Sequence, residues 1–369
     1  MKIKTARKLV VFLLGAAVLA SCAITPAERA IEGAPAHHTS RGFKNLYIEE
    51  PNKSFFSFIR MRLFGGHPWA DHEKTAGDVP FQMLELGRVN NPPLNQLQVS
   101  WLGHSTFLIQ YRGINILTDP MFSDRASPTS FAGPKRYTRH VLDYENLPRI
   151  DYVVISHNHY DHLDDTAARL LGNGPEYMVP LGLKDWFVGQ GVSEDRIHVF
   201  DWWQKHQASV SQHIRFTAQP SQHWSARGLF DRRATLWASW RIELEDHSIW
   251  FAGDTGYNDR LFKEIGAAAG PVDLALIPIG AYDPRVFMQT YHVDPDEAVA
   301  IHQDIGAAQS IGMHWGTYPL TAEEPMDPPR RLAAAREREG MAESEFRALD
   351  LGQTVLIEKT LPAITTDAP

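Results

Sequence analysis

The chain has 369 residues, enough for one large domain or two of ordinary size. Its apolar content of 43% and charged content of 22% are typical of a globular protein and exclude a disordered or fibrous chain. A net charge of −8 offers no basic surface for nucleic acid, and a single cysteine excludes an internal disulfide framework.

The first 22 residues have the pattern of a bacterial lipoprotein export signal. Basic residues at positions 2, 4, 7 and 8 precede an apolar stretch, 9–19, that is too short to span a bilayer as a stable helix. The sequence Leu19-Ala20-Ser21-Cys22 resembles the lipobox, in which the cysteine becomes the lipidated first residue. An ordinary secretory signal containing a cysteine is the alternative. With Ala23 next, the pattern predicts a lipid-anchored protein of the cell envelope, on the outer membrane facing the periplasm.

Residues 23–42 are small, polar and proline-containing, which predicts a linker, and residues 43–93 are predicted to form an N-terminal extension packed on the domain. This extension contains an aromatic cluster that includes Phe55, Phe56 and Phe58, interspersed with arginines. One interpretation is an amphipathic element that lies on a membrane or lines a channel for a lipid chain. The other is a helix packed against the core.

Residues 94–360 are predicted to form the main domain, and residues 361–369 a frayed tail. The domain opens with three predicted strands, 97–101, 106–111 and 114–118, and this meander ends at Asp119. For His104, in the first turn, a structural role is favoured. Near the end, a charged helix is expected at 328–340, and the stretch 351–358 is expected to close the second half of the domain.

Four candidate metal ligands follow a short apolar run, 152–155, that is typical of a buried strand. They are His157, His159, Asp161 and His162. Two histidines spaced by two on an extended backbone point the same way, and imidazole and carboxylate are ligands that zinc prefers. A polar loop that happens to be rich in histidine is the alternative.

Three more candidate ligands stand at the ends of predicted strands. They are His223, Asp254 and His314. Each alone would more often be a core or turn residue than a ligand. Their interpretation as metal ligands therefore depends on the His-x-His-x-Asp-His stretch.

That stretch resembles the signature of the metallo-β-lactamase superfamily. The resemblance implies an α/β fold, a four-layer αβ/βα sandwich, with two zinc ions at one edge. It assigns His157, His159 and His223 to one zinc ion and Asp161, His162 and His314 to the other. Asp254 would bridge both ions.

Longer motifs more specifically resemble the family of N-acyl-phosphatidylethanolamine-hydrolysing phospholipases D. Among them are Asp119-Pro-Met-Phe-Ser-Asp, Phe251-Ala-Gly-Asp-Thr-Gly-Tyr and His292-Val-Asp-Pro. This resemblance implies a di-zinc phosphodiesterase that releases an N-acylethanolamine and leaves phosphatidic acid. The predicted lipid anchor, which that relative lacks, would let the enzyme meet its phospholipid substrate in the membrane. Asp119 would support the metal site, and His292 would donate to the substrate phosphate or act as general acid. Tyr291 stands where the family member compared has Gln, a difference that concerns substrate recognition.

Two other functions stay open from the sequence. One is a metallo-hydrolase acting on a lactone, a sulfate ester or a β-lactam, since a fold does not fix a function. The other is a non-catalytic outer-membrane lipoprotein, against which the intact ligand set argues.

Overall fold

The computed structural model describes residues 30–49, 51, 55–208, 213–228 and 230–359, without the side chains of residues 55, 56, 59 and 269. The predicted export signal with Cys22 and the predicted tail lie outside these ranges. The chain divides into two compact units, Met1–Arg41 and Gly42–Pro369. In the first unit, the described part contains the short strand β1 (His38–Thr39). The predicted linker, extension and domain boundaries stay predictions.

In the described part of the second unit, after the short strand β2 (Gly42–Phe43), two seven-stranded sheets form the framework. The first sheet contains, in chain order, β3 (Leu97–Gly103), β4 (Thr106–Tyr111), β5 (Ile114–Thr118), β6 (Tyr152–Val154), β7 (Glu176–Pro180), β8 (Ile197–Phe200) and β16 (Thr354–Ile357). The second sheet contains β9 (Lys205–Gln207), β10 (Ile214–Gln219), β11 (Ser239–Leu244), β12 (His247–Phe251), β13 (Val272–Pro278), β14 (Ala307–Met313) and β15 (Phe346–Ala348).

The α-helices of the described residues flank these sheets. They are α1 (Phe55–Phe64), α2 (His72–Thr75), α3 (Leu86–Asn90), α4 (Asp165–Leu171), α5 (Lys184–Gly189), α6 (Leu261–Ala269), α7 (Arg285–Met288), α8 (Pro295–Asp304) and α9 (Asp327–Glu339). Among the residues described, no helix has the length and apolar character that crossing a bilayer requires.

Each sheet is antiparallel in one half and parallel in the other. The pairs from β3 to β5 and from β9 to β12 are antiparallel, and the pairs from β5 to β8 and from β12 to β15 are parallel. Parallel neighbours need a crossover, which explains why helices connect β6 to β7 and β13 to β14. The two halves of the chain therefore repeat one plan, and the predicted αβ/βα sandwich is confirmed.

The core lies between the two sheets. The ring of Tyr152 on β6 lies 5.1 Å from that of Phe216 on β10, and the ring of Phe200 lies 4.9 Å from that of Trp240. The Trp240 indole N–H donates to the Ile155 carbonyl at 2.8 Å, which gives its buried polar atom a partner. The loop that begins after Ile155 is thereby fixed against the second sheet.

One expectation about the end of the chain is wrong. The stretch predicted to close the second half forms β16, which pairs antiparallel with β3 of the first sheet, with Thr354 opposite Ser100. The second sheet ends instead at β15, which pairs with β14. Without β16, β3 would expose an unpaired edge of backbone donors and acceptors, and the last strand removes that edge.

Candidate metal centre

The predicted ligands lie at the carboxyl ends of strands from both sheets. The loop that carries His157, His159, Asp161 and His162 follows β6, and Asp254 and His314 follow β12 and β14. His223 lies four residues after the end of β10. Side chains at the carboxyl ends of neighbouring parallel strands share one edge of a sheet, so two sheets packed face to face bring all seven together.

Two backbone positions let the chain turn sharply at this edge. Gly253 has φ +58°, and a Cβ atom there would lie 2.5 Å from the Ser156 Cβ, so a side chain would push Asp254 away from the His157 loop. His314 itself has φ +64°, a conformation that residues with side chains rarely adopt. Its backbone N–H donates to the His104 carbonyl at 3.1 Å, which holds this turn. Strained backbone of this kind concentrates at functional sites.

The first ligand group consists of His157, His159 and His223, whose ligand atoms lie within 4.8 Å of one another. His159 Nδ1 is 2.8 Å from His157 Nε2 and 3.2 Å from His223 Nε2. Asp254 Oδ2 lies 4.0 Å from His157 Nε2 and 3.8 Å from His223 Nε2. Three imidazole nitrogens and one carboxylate oxygen therefore surround one point.

The second ligand group consists of Asp161, His162 and His314, and the ligand atoms of these three residues and of His104 all lie within 4.8 Å of one another. Asp161 Oδ2 is 3.4 Å from His162 Nε2 and 3.3 Å from His314 Nε2. Asp254 Oδ2 is 3.2 Å from the same atom of His162 and 3.1 Å from that of His314. One oxygen of Asp254 is thus shared between the two groups.

The residues fit a metal centre. His162 Nε2, His314 Nε2 and Asp254 Oδ1 are buried without a hydrogen-bond partner among the described residues, although buried polar atoms are normally paired. Ligand atoms of a tetrahedral zinc ion lie roughly 3.3 Å apart when the metal–nitrogen bonds are about 2.0–2.1 Å, and most separations in the second group are close to this. Imidazole and carboxylate atoms aimed at a common point without other partners are the arrangement that a borderline cation requires.

Asp119 supports two of the candidate ligands. Its Oδ2 is 2.7 Å from His162 Nδ1, which leaves His162 Nε2 as the atom that faces the centre. The same carboxylate accepts from the Ser156 hydroxyl at 2.5 Å, and that hydroxyl lies 2.9 Å from His157 Nδ1. A carboxylate behind a metal-binding histidine fixes its tautomer and raises its basicity. His223 Nδ1 is oriented in the same way by the Tyr291 carbonyl at 3.0 Å.

Burial and neighbouring charges set the protonation of the centre. Burial lowers the pKa of His159 to about 3 and that of His157 and His223 well below the usual value, so these imidazoles are neutral. Burial also lowers the tendency of His314 to ionise, but the Asp254 and Asp161 carboxylates raise its pKa to about 9. A cation at the second group would therefore compete with protons for the same atoms.

His104 is a site residue whose place the sequence did not indicate. Its Nε2 lies 3.0 Å from Asp161 Oδ2, and its ring centroid is 4.0 Å from that of His314. The φ of His104 is +52°, so the hairpin turn after β3 directs its side chain into the second group. The sequence signal for a role at the site is a histidine in a tight turn between two apolar strands. That signal does not identify its partner, because the contact between His104 and Asp161 joins residues 57 positions apart.

His292 lies at the rim of the centre, with Nδ1 3.9 Å from Asp254 Oδ2. Burial lowers its pKa to about 4, so the ring is neutral and can donate a hydrogen bond. Trp224 and Tyr291 line the neighbouring side of the first group, because their rings lie 4.3 Å from His159 and 6.1 Å from His223, respectively. The Arg232 guanidinium lies over the Trp224 ring at 3.8 Å. This side of the centre is therefore aromatic and cationic.

The predicted substrate channel lies partly outside the described side chains. Phe55 and Phe56 begin α1, and their side chains lie outside the described part of the structure. The Phe58 ring is half-buried, 6.3 Å from the Trp69 ring and 6.1 Å from the Phe287 ring on α7. Because α7 precedes His292 by four residues, α1 packs on the segment that leads into the centre. At the other end of α1, Leu63 and Phe64 are exposed.

A buried histidine and aspartate centre at the strand ends of an αβ/βα sandwich defines a metal-dependent hydrolase of the metallo-β-lactamase fold. Residues 114–315 match the family described as the beta-lactamase superfamily domain. The chain belongs to the metallo-β-lactamase superfamily.

Within it, the chain is similar to enzymes that hydrolyse N-acyl-phosphatidylethanolamine. It is 44% identical over 268 residues to N-acyl-phosphatidylethanolamine-hydrolyzing phospholipase D 1 of Caenorhabditis elegans, covering 70% of this chain and 75% of that protein. It is 35% identical to the mitochondrial enzyme of that name from Saccharomyces cerevisiae, covering 69% of this chain and 55% of the yeast protein. Igni18, a metallo hydrolase from Ignicoccus hospitalis, has the same fold, with a TM-score of 0.54 and 21% identity over 72% of this chain and 99% of its own.

Proposed function

We propose that the protein is a di-zinc phosphodiesterase of the phospholipase D type that acts on phospholipids, including N-acylated ones. The observation that carries the proposal is the position of Asp254, whose Oδ2 faces both ligand groups from distances of 3.1–4.0 Å. A single carboxylate shared by two sets of ligands is the arrangement of a two-metal hydrolytic centre. The names of the worm and yeast relatives indicate the substrate class.

The ligands would divide as the sequence motifs imply. His157, His159 and His223 would hold one zinc ion, and Asp161, His162 and His314 the other. When bound, two zinc ions supply Lewis acidity toward a phosphate ester and activate water at neutral pH. Asp254 would keep both ions at a fixed separation.

The other residues of the site would position the substrate. The neutral ring of His292 would donate a hydrogen bond to a phosphate oxygen, which favours the transition state in which charge grows on that oxygen. This role needs no full proton transfer, unlike the general-acid role also predicted from the sequence. Asp119 would hold His162 directly and His157 through Ser156, and it would not contact the substrate.

The N-terminal extension would bring the centre to a bilayer. The exposed side chains of Leu63 and Phe64, 67% and 81% accessible, stand beside Arg60 and Arg62 on α1. Apolar side chains that enter the acyl region, with cations at the level of anionic headgroups, are typical of a helix that lies on a membrane. Phe55, Phe56 and Phe58 would line the path of an acyl chain toward the centre.

Lipidation at Cys22 would tether this domain to the outer membrane, facing the periplasm. The proposal rests on the basic, apolar and lipobox pattern of residues 1–22. Replacing Cys22 with serine should abolish labelling by a clickable fatty acid in the native host. Equal labelling of the variant and the unmodified protein would contradict the assignment.

The experiment that tests the proposed function combines metal analysis with a substrate panel. Protein lacking residues 1–22 should carry about two zinc ions per chain and should convert N-acyl-phosphatidylethanolamine into phosphatidic acid. The panel includes a phospholipid without the N-acyl group, a lactone, a sulfate ester and a β-lactam. Less than one metal ion per chain, under conditions that do not strip metal, contradicts the di-zinc centre. Cleavage of the lactone or β-lactam without any phosphodiester contradicts the phospholipase activity.

A further inference from the structure

A second group of metal-binding side chains lies at the edge where the two sheets end. Glu176 on β7 and His198 on β8 belong to the first sheet, and His206 on β9 belongs to the second. β8 and β9 are the last strands of their sheets, and only four residues connect them. The three residues are separate from the centre described above.

The strand registers aim these side chains at the space between the sheets. His206 lies opposite Phe216, and His198 lies opposite Met178, both of which are fully buried. Residues directly opposite each other on paired strands project to the same face, so both histidines point inward. Glu176 is two residues from Met178 on β7 and shares its face.

Their ligand atoms converge within 4.8 Å. His198 Nε2 is 3.0 Å from Glu176 Oε2, and the two imidazole centroids are 4.1 Å apart. His206 Nε2 is buried and has no hydrogen-bond partner among the described residues, although such atoms are normally paired. The contact with Glu176 gives His198 Nε2 a partner, whereas His206 Nε2 is left without one.

We propose that Glu176, His198 and His206 form an additional binding site for a divalent cation of the zinc class. Two imidazoles and one carboxylate are a ligand set that zinc accepts with one position left for water. A cation there ties the edge strand of one sheet to the edge strand of the other. Because the site forms only in the folded chain, the cation stabilises the fold by mass action.

The test uses the full chain, first equilibrated so that its catalytic centre is loaded with zinc. Adding zinc chloride should load one further ion per chain into the unmodified protein and raise its Tm. The double variant His198→Gln, His206→Gln should take up one ion fewer and show no such rise, while its hydrolytic activity is unchanged. His67→Gln, which removes an exposed histidine elsewhere, is the matched control and should behave like the unmodified protein.

Equal zinc content and an equal Tm rise in the double variant and the unmodified protein would overturn the proposal. A second variant, Glu176→Gln, guards against misfolding of the first because it retains a hydrogen-bond acceptor for His198. It removes the one charged ligand and should weaken binding of the additional ion by about tenfold or more, at least the scale seen when a partner behind a metal ligand is changed. Unchanged affinity in Glu176→Gln would also count against the site. Neither outcome bears on phospholipid hydrolysis, so this site and the proposed function are tested separately.

Discussion

Asp254 joins the two ligand groups through a single atom. Its carboxylate is fully buried, and burial alone would raise its pKa, but His162 and His314 hold the pKa well below the usual value. The group is therefore charged in the folded protein, and it supplies negative charge that two cations can share.

Asp254→Asn preserves the shape of the side chain and removes its charge. Hydrolysis should fall by roughly 100-fold or more, the scale for losing one preorganised electrostatic group, and the metal content should fall as well. The measurements are kcat/KM and elemental analysis on the same samples. Asp246→Asn, at a carboxylate whose side chain is 46% exposed, is the control. A variant with full activity and unchanged metal content would show that Asp254 is not shared between two ions.

His104 contacts the Asp161 carboxylate at 3.0 Å, and we expect it to position that candidate ligand. His104→Asn should weaken metal binding at the second group by roughly 10- to 100-fold, because the 3.0 Å contact to Asp161 is lost. Asparagine tolerates the positive φ of this turn, so the backbone contact to His314 is retained.

A chelator competition assay measures this effect, with His302→Gln as a control for loss of a buried histidine outside the centre. If His104→Asn leaves the affinity of both groups unchanged, the contact with Asp161 has only a structural role.

The sequence indicates the seven candidate ligands, but it does not indicate the contacts that orient them. His157 and His159 follow an apolar strand at a spacing of two, a local pattern that can be read directly. The contacts from His104 to Asp161 and from Ser156 to Asp119 join positions 57 and 37 residues apart. Such contacts depend on how the sheets pack, which no local pattern reports.

The helix α1 packs against neighbouring residues near its first turn and is exposed at its last turn. Phe58 contacts Trp69 and Phe287, while Leu63 and Phe64 are 67% and 81% exposed. The contacts of Phe58 agree with the expectation of a packed helix. That the exposed end lies on a membrane stays a proposal, which rests on the exposure of Leu63 and Phe64.

Changing Leu63 and Phe64 together to serine should lower turnover of lipid in vesicles several-fold. The free energy of unfolding should change by only about 0.5 kcal/mol per site, because both side chains are exposed. Turnover of a small soluble phosphodiester is measured in parallel and should be unaffected.

Leu94→Ser is the matched control for this pair. Leu94 is 68% exposed, like the two residues on α1. It lies before the start of β3, whereas His104 of the metal centre follows the end of that strand, so Leu94 is at the opposite end of β3 from the centre. An equal loss on vesicles and on the soluble substrate would contradict the membrane role of α1.

The bounds of a strand follow from the local sequence pattern, whereas its partner strand does not. β4 and β5 have the predicted bounds, since turns on either side delimit each apolar run. The sequence predicts β16 in the wrong half of the domain, because the alternation of Val355 and Ile357 indicates a strand but not its partner. The free edge of β3 decides that pairing, and it lies more than 250 residues away in the chain.

The centre depends on both halves of the repeated plan. The loop after β6 of the first sheet provides His157, His159, Asp161 and His162, and segments that follow strands of the second sheet provide the rest. Metal binding at this place couples the packing of the two sheets to the reaction, because the ligands meet only when both sheets are folded.

The destination of the water oxygen during the reaction tests the proposed phosphodiesterase activity. Zinc-loaded protein is incubated with N-acyl-phosphatidylethanolamine in water enriched in oxygen-18, and the products are identified by mass spectrometry. Attack on phosphorus predicts that the label appears in the phosphate of phosphatidic acid and that the released N-acylethanolamine is unlabelled. Label in a released fatty acid, or in the alcohol of N-acylethanolamine, would contradict a phospholipase D-type phosphodiesterase.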